Sequence, residues 1–386
     1  MYILTTICGG SWFGARNRIF GWAYRRIIKP ILFLSDPEVV HDQMANVGSV
    51  LGESAFGRGL TRCAFGYSHP ALVQTVAGIR FPNPVGLAAG FDKDARMTRI
   101  MPSVGFGFME VGSVTGRPCA GNPGQKLWRL KKSESIVVNS GLKNVGAEVI
   151  ARNLAEMDFM IPLGVSIAKT NTAATCEEDD GIADYLRAYR AFAERDIGSY
   201  YTINISCPNA VGGQPFLQPG PLDHLLADFT KLRKELGDQR PVFLKLSADL
   251  YPASLDAIID IARTYAITGF ICSNLTKNRN NKSIVDDEVP QKGGLSGAVV
   301  RGLSDNLVRS IYHKAGHEFV IIGCGGIFSA EDAYAKIRAG ASLVQLITGM
   351  IFRGPQVVSD INRGLVRLMR RDGFSSISEA VGSEEI

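Results

Sequence analysis

Eight short apolar or β-branched runs, each followed by a stretch of helical periodicity, recur along residues 84–347. They are 84–89, 107–112, 162–167, 201–206, 242–246, 269–273, 319–323 and 342–347. Helical stretches between and after them include 184–194, 222–236, 254–264, 299–315 and 330–339. Regular β-then-α alternation restricts a chain to parallel strands with helical crossovers, either closed into a barrel or open and doubly wound. An open sheet of the dinucleotide-binding kind places a GxGxxG turn after its first strand, and none stands there. The reading is α/β, a (β/α)8 TIM barrel, with residues 72–81 as a hairpin closing its bottom. The 386 residues, 46% of them hydrophobic, suffice for that core and a small accessory segment. The division expected is 1–50 as an N-terminal helical membrane-associating extension, 51–374 as the barrel, and 375–386 as a polar, flexible tail.

What stands where each run ends carries the functional information. Ala88, Ala89, Gly90 and Lys93 follow the first run, and Ser113 the second. The third holds Ser166 and then Lys169, and the fifth holds Lys245 and Ser247. Ser273 and Asn274 follow the sixth, Gly323-Cys-Gly-Gly326 the seventh, and Thr348-Gly349 the eighth. Polar and glycine residues thus converge on the C-terminal rim, where barrel enzymes place their sites. Lys245, inside an apolar run, needs a polar or charged partner, for which a flavin N1–C2=O edge is a candidate. Glycine turns after the last two runs, with Gly293-Gly-Leu-Ser-Gly297, suit a phosphate-bearing cofactor. The fourth run continues as Asn204-Ile-Ser-Cys-Pro-Asn209, a thiol between two carboxamides. That is either a proton-transfer residue beside hydrogen-bonding clamps or a polar strand end with a structural cysteine.

Charge sets aside other classes. The excess of +5 equals Arg16, Arg18, Arg25, Arg26 and Lys29, all ahead of the first acid, Asp36. The remaining body is neutral overall, which is not a nucleic-acid-binding footprint. Seven scattered cysteines without CxxC spacing argue against a disulfide framework or metal cluster and fit a reducing compartment. His313 and His317 lack a third ligand, so no metal is expected. No apolar run reaches the ~18 residues of a membrane span, and Met1–Cys8 makes a poor signal peptide. Aromatic and branched residues interleave with the five cations over 16–34, a pattern able to lie on an anionic membrane surface or to pack on the barrel. Pro30 should end or kink that helix, and Ser35-Asp-Pro-Glu38 starts another running toward Leu51.

With these residues in place, the chain resembles the dihydroorotate dehydrogenases, FMN barrels of pyrimidine synthesis, over roughly residues 16–360. The likeness rests on Asn83-Pro-Val-Gly-Leu-Ala-Ala-Gly-Phe-Asp-Lys-Asp94, Val111-Gly-Ser-Val-Thr115, Ile203-Asn-Ile-Ser-Cys-Pro-Asn209, Gly293–Gly297, Gly323-Cys-Gly-Gly-Ile327 and Ala339-Gly-Ala-Ser-Leu-Val-Gln345. The basic N-terminal segment before Asp36-Pro-Glu-Val-Val-His41 is similar to class 2, the membrane-associated, quinone-reducing branch. The resemblance implies that Ala88, Ala89, Gly90, Lys93, Ser113, Ser166, Asn204, Lys245, Ser273, Gly297, Gly325, Gly326, Ile347 and Thr348 line FMN. It implies that Lys93, Asn139, Gly141, Leu142, Asn204, Asn209 and Asn274 hold dihydroorotate or orotate, that Cys207 is the base, and that His41 and Arg129 stand at the quinone site. The place implied is peripheral, on the cytoplasmic face of the inner or cell membrane.

Several positions depart from the class 2 pattern. Cys207 replaces its serine base, as in class 1, and the 139–144 loop is one residue shorter. Leu142 stands for a phenylalanine, Ser166 for an asparagine, Leu275 for a small hydroxyl residue and Ile347 for a tyrosine. These changes keep three alternatives open: a soluble acceptor such as fumarate, a related FMN-dependent pyrimidine or enone oxidoreductase, and a non-catalytic membrane-bound scaffold.

Overall fold

The computed structural model describes residues 10–385, so the Met1–Cys8 reading lies outside the described residues. Eight parallel strands close into a barrel: β3 (Val85–Leu87), β4 (Phe108–Thr115), β7 (Leu163–Ala168), β8 (Tyr200–Asn204), β9 (Val242–Leu246), β10 (Gly269–Cys272), β12 (Val320–Cys324) and β13 (Leu343–Leu346). Each falls on one of the eight runs. β1 (Gln74–Val76) and β2 (Ile79–Phe81) form the antiparallel hairpin at the bottom, turning through Ala77-Gly78 at positive φ. Large and small side chains alternate across neighbouring strands inside. A Cβ on Gly86 would lie 2.4 Å from the Phe108 ring beside it, and one on Gly164 2.3 Å from Tyr200. Phe81 packs edge-on to Phe108, and Tyr200 to Phe243. Above this floor lies a polar layer, where the fully buried Glu110 accepts from Thr202 and Gln345.

Short α5 (Met101–Val104), then α6 (Ala147–Leu154), α7 (Glu178–Ala193), α8 (Pro219–Leu236), α9 (Pro252–Thr264), α10 (Arg301–Ala315), α11 (Ala330–Arg338), α12 (Thr348–Arg353) and α13 (Val357–Arg371) follow the strands. Their apolar faces and the strands' outer faces make the main core. α7 starts six residues ahead of the expected 184, because Glu178, Asp179 and Asp180 favour a helix N-terminus rather than a loop.

The N-terminal segment holds α1 (Gly10–Ala23), α2 (Lys29–Leu32), α3 (Pro37–Glu53) and α4 (Ala55–Phe65). Pro30 does not end the first helix. A π-helical turn over Tyr24–Ile28, with the Lys29 N–H reaching the Tyr24 carbonyl, absorbs the proline within a helical path to Leu32. Asp36 caps α3, its carboxylate accepting from the Glu38 and Val39 N–H groups. Arg16 and Asn17 tie α1 to Ser359 on α13.

Two further corrections concern the upper rim and the tail. β5 (Leu127–Leu130), β6 (Ser135–Val138) and β11 (Gly294–Gly297) form a three-stranded antiparallel sheet. Gly293–Gly297, grouped with the glycine turns on its sequence, is therefore mostly an edge strand along Ser135–Val138. The tail does not hang free. Ile377 and Ala380 are fully buried, the Gly382 N–H reaches the Ile337 carbonyl, and Glu384 pairs with Arg309.

Candidate functional site

A cavity of about 390 Å³ opens at the C-terminal mouth of the barrel, roofed by α3 and the three-stranded sheet. It gathers Ala88, Ala89, Gly90 and Lys93 after β3, Ser113 on β4, Asn204, Cys207 and Asn209 after β8, and Lys245 on β9. Ser273 and Asn274 enter after β10, Gly297 from β11, Gly325 and Gly326 after β12, and Ile347 and Thr348 after β13. Gly141, Leu142 and His41 complete the set of expected residues found on its wall, with Leu275 beside them.

The carboxamides are held by one another. Asn204 Nδ2 donates to Ser113 Oγ at 2.8 Å, and its Oδ1 accepts from Asn274 Nδ2 and Ser206 Oγ, each at 3.1 Å. Asn274 Nδ2 also reaches Ser206 Oγ at 3.0 Å. Such a closed network fixes which amide edges remain for a ligand. Asn209 Nδ2 is spent on the Val138 carbonyl at 2.8 Å. Lys93 Nζ lies 3.2 Å from Ser140 Oγ, and burial, then Lys143, push its pKa down.

Cys207 is half-buried on the wall. Burial pushes its thiol up, opposed by the Asn209 N–H and by the Lys277 and Lys169 ammonium groups. Lys169 is not on the wall. Its ammonium donates to the Thr175 carbonyl at 3.1 Å and to that of Val211 at 3.0 Å, tethering the loop beyond Cys207.

Three expected contacts stand back from the cavity. Ser166 lies one hydrogen bond behind Ser113, at 2.8 Å, since its side chain points into the barrel's polar layer. Asn139 is turned aside, its Oδ1 accepting from Asn122 Nδ2 at 2.9 Å. Arg129 stacks 4.5 Å over Phe33 and donates to the Ser35 carbonyl, so it pins the turn between α2 and α3. His41 faces inward, with Nε2 2.7 Å from the Phe91 carbonyl, which places its proton on that nitrogen.

The sequence reading passed over Asn122. Its Nδ2 also donates to the Asn209 carbonyl at 3.1 Å, and its Oδ1 accepts from Asn171 Nδ2 at 2.9 Å. Asn171 in turn takes the Val211 N–H. One residue thereby joins the loops that carry Asn139 and Gly141, Asn171, and Asn209; its only sequence signal is the Gly121-Asn122-Pro123 turn.

Two features test the cavity for a phosphate-bearing flavin. Lys245, 5% exposed, makes no side-chain hydrogen bond or ion pair among the described residues. A buried ammonium facing a cavity wants an acceptor there. At the glycine turn after β12, the Gly325 and Gly326 N–H groups likewise have no acceptor among the described residues. An electron-rich ring edge and an oxyanion would satisfy the two, so the donor set fits. Among the described residues no group of three or more metal-ligating side chains is gathered.

The family model for dihydroorotate dehydrogenase matches residues 71–369, which spans the whole barrel. The chain belongs to the dihydroorotate dehydrogenase family. Dihydroorotate dehydrogenases of this family are flavin-dependent oxidoreductases. A relative named dihydroorotate dehydrogenase (quinone) from Natronomonas pharaonis is 38% identical, covering 92% of this chain and 98% of its own. One of the same name from Nostoc sp. is 38% identical over 94% and 98%. Among solved structures, a ligand-free dihydroorotate dehydrogenase from Eimeria tenella superposes with a TM-score of 0.81 at 28% identity, covering 91% of this chain and 100% of that one. The same enzyme in complex with ferulenol gives 0.79 at 27% identity, covering 91% and 96%.

Proposed function

We propose that this chain oxidises (S)-dihydroorotate to orotate in pyrimidine synthesis, with FMN as its resident cofactor and a membrane quinone as its electron acceptor. The observation that carries the reading is a single cavity shared by Cys207, the locked amides of Asn204 and Asn274, and a Lys245 that has no hydrogen-bond or ion-pair partner among the described residues. Lys245, Ser113 (backed by Ser166), Ser273, Ala88–Gly90 and the glycine turns at Gly297, Gly325 and Gly326 would hold FMN, with Ile347 and Thr348 beside them. When bound, FMN supplies the hydride acceptor for substrate C6 and the relay to quinone, chemistry that no side chain performs.

The remaining work falls to the protein. Cys207 takes the C5 proton as thiolate, so a C5=C6 double bond is left in the product. Asn204, Asn209 and Asn274 offer donors and acceptors to a planar ring that carries both. Asn139 joins them once its carboxamide leaves Asn122. Lys93 places a cation against the substrate carboxylate, and Leu142 and Leu275 close the pocket to water.

The same cavity extends between α3 and the sheet, along Val39, His41, Ala45, Leu127, Ile136, Val138 and Ile351. An apolar tail of a quinone suits that passage. The N-terminal segment around it exposes apolar residues on α1–α4 and in the turn between α2 and α3, Phe56 at 81% and Leu34 at 86% among them. No helix among the described residues is long and apolar enough to cross a membrane, so the attachment we propose is peripheral. A soluble acceptor such as fumarate is the second reading, favoured by Cys207 and Ile347, and those exposed apolar residues count against it.

The test is anaerobic. The yellow holoenzyme is mixed with dihydroorotate and flavin absorbance is followed near ~450 nm, the band of the cofactor itself. Bleaching that a quinone analogue reverses and fumarate does not is the expected result. Bleaching reversed only by fumarate moves the assignment to the second reading, and bound flavin that dihydroorotate leaves oxidised removes the substrate assignment.

A further inference from the structure

The glycine turn after β12 is held from outside the barrel, and its supports begin with helical spacing. Arg301 and Ser304 stand three apart on α10, and Asp332 and Lys336 four apart on α11, so each pair shares a helix face. The two faces meet behind Cys324-Gly325-Gly326. Arg301 pairs with Asp332 at 3.1 Å, and its Nε donates to the Gly326 carbonyl at 2.8 Å. A Cβ on Gly326 would lie 2.4 Å from Arg301 Cβ, so α10 can come this close only to a glycine. Lys336 is fully buried; it donates to Ser304 Oγ at 2.9 Å and pairs with Asp305. None of these side chains lines the cavity.

Ser304 sits at the junction of two strand ends. Its hydroxyl lies 2.9 Å from the Cys272 carbonyl and 2.8 Å from the Cys324 carbonyl. An ammonium group only donates, so Ser304 Oγ accepts from Lys336 and its own proton goes to the two carbonyls. The Cys324 carbonyl also takes the Ser273 N–H at 2.7 Å. Cys324 C=O and Gly325 N–H belong to one planar trans peptide and point in opposite directions. Holding that carbonyl toward α10 therefore turns the Gly325 N–H the other way. Gly325 is on the cavity wall, and its N–H has no acceptor among the described residues.

We infer that Ser304, locked by Lys336, is a positioning residue for the flavin phosphate: from outside the barrel it aims the Gly325 N–H at the oxyanion. The same hydroxyl ties the Cys272 carbonyl, so the turn keeps its register with Ser273 and Asn274 on the neighbouring strand end. Asp305 supplies the countercharge that lets an ammonium stand in this buried place. The inference rests on the FMN reading above and adds to it the device that aims one of its phosphate donors.

The test is a competition between two flavins that differ only in the phosphate. Full-length holoenzyme is dialysed to equilibrium against FMN with an excess of riboflavin, and the bound flavins are counted by chromatography. A general loosening of the ring site cancels in the bound ratio, so the ratio reads the phosphate alone. Wild type should prefer FMN. Ser304→Ala should cut that preference about tenfold, the worth of one mis-aimed hydrogen bond to a charged group. Lys336→Met, which keeps the hydroxyl and frees it to rotate, should cut it about threefold. Ser103→Ala, at a buried serine of α5 with no hydrogen-bond partner among the described residues, should leave it unchanged. Bound flavin shows that a variant is folded; should Lys336→Met take up none, the Ser304→Ala ratio decides alone. A Ser304→Ala ratio equal to that of wild type overturns the inference and leaves Ser304 as packing between helix and barrel. An equal drop in Ser103→Ala overturns it as well. Wild type that does not distinguish the two flavins removes the phosphate from this turn, and the FMN reading falls with it.

Discussion

Cys207 and Lys245 show how far single side chains set the chemistry. Burial raises the Cys207 thiol above its ordinary value, so its base form, the thiolate, fills in only as pH rises through that raised pKa. Flavin reduction by dihydroorotate is expected to climb with pH over that range. A serine hydroxyl is a far weaker acid, so Cys207→Ser should move the rising limb to higher pH and slow reduction near neutrality by about 10²-fold. Stopped-flow traces across pH decide this; an unchanged profile removes Cys207 from the base role. Lys245 gives a prediction that needs no turnover. Lys245→Met should weaken FMN binding by roughly 10- to 100-fold, the range for a charge-assisted hydrogen bond, as read by flavin fluorescence. The flavin-free variant should melt higher than flavin-free wild type, because it no longer buries an ammonium that has no partner among the described residues. A lower melting temperature in the flavin-free form would mean that Lys245 has a protein partner in solution.

At the scale of elements, the site is a meeting of loops from different strands, and Asn122 is where three of them meet. Asn122→Ala removes donors to Asn139 and to the Asn209 carbonyl and leaves Asn171 Nδ2 with the Gly141 carbonyl alone. The expected result is a KM for dihydroorotate raised by about tenfold with kcat changed much less, since the loops lose their register while Cys207 keeps its place. Loss of kcat with KM unchanged would instead give Asn122 a part in the chemical step. The three-stranded sheet works in the same way. β6 holds Val138, whose carbonyl takes Asn209 Nδ2, and β11 beside it brings Gly297 to the cavity. A rim element outside the barrel thus positions substrate clamp and cofactor turn together.

At the scale of the whole molecule, α3 roofs the barrel mouth while α1 packs on α13, and the N-terminal segment that holds them exposes apolar side chains such as Trp22, Leu34 and Phe56. Trp22→Glu with Phe56→Glu puts charge on that segment without touching the cavity wall. Vesicle binding and turnover with a long-chain quinone should both fall by about tenfold or more, with flavin bleaching by dihydroorotate retained. Unchanged quinone turnover would detach the acceptor site from that segment. The sequence by itself determined the barrel, its bottom hairpin and the rim chemistry. Strand runs are marked locally by β-branched residues, and once eight of them are parallel, the residues at their C-terminal ends must share one rim. It therefore placed Cys207, Lys245 and the cavity asparagines on one face without a structure. The tertiary structure alone decided that Asn139 is turned toward Asn122, that Arg129 pins a turn instead of facing the cavity, and that Gly294–Gly297 is a strand. It also decided that residues 377–384 pack against the barrel and that Lys336 of α11 reaches Ser304 of α10 behind the glycine turn. Each of these depends on pairings between residues tens to hundreds of positions apart, and such contacts leave no periodicity for a sequence to display.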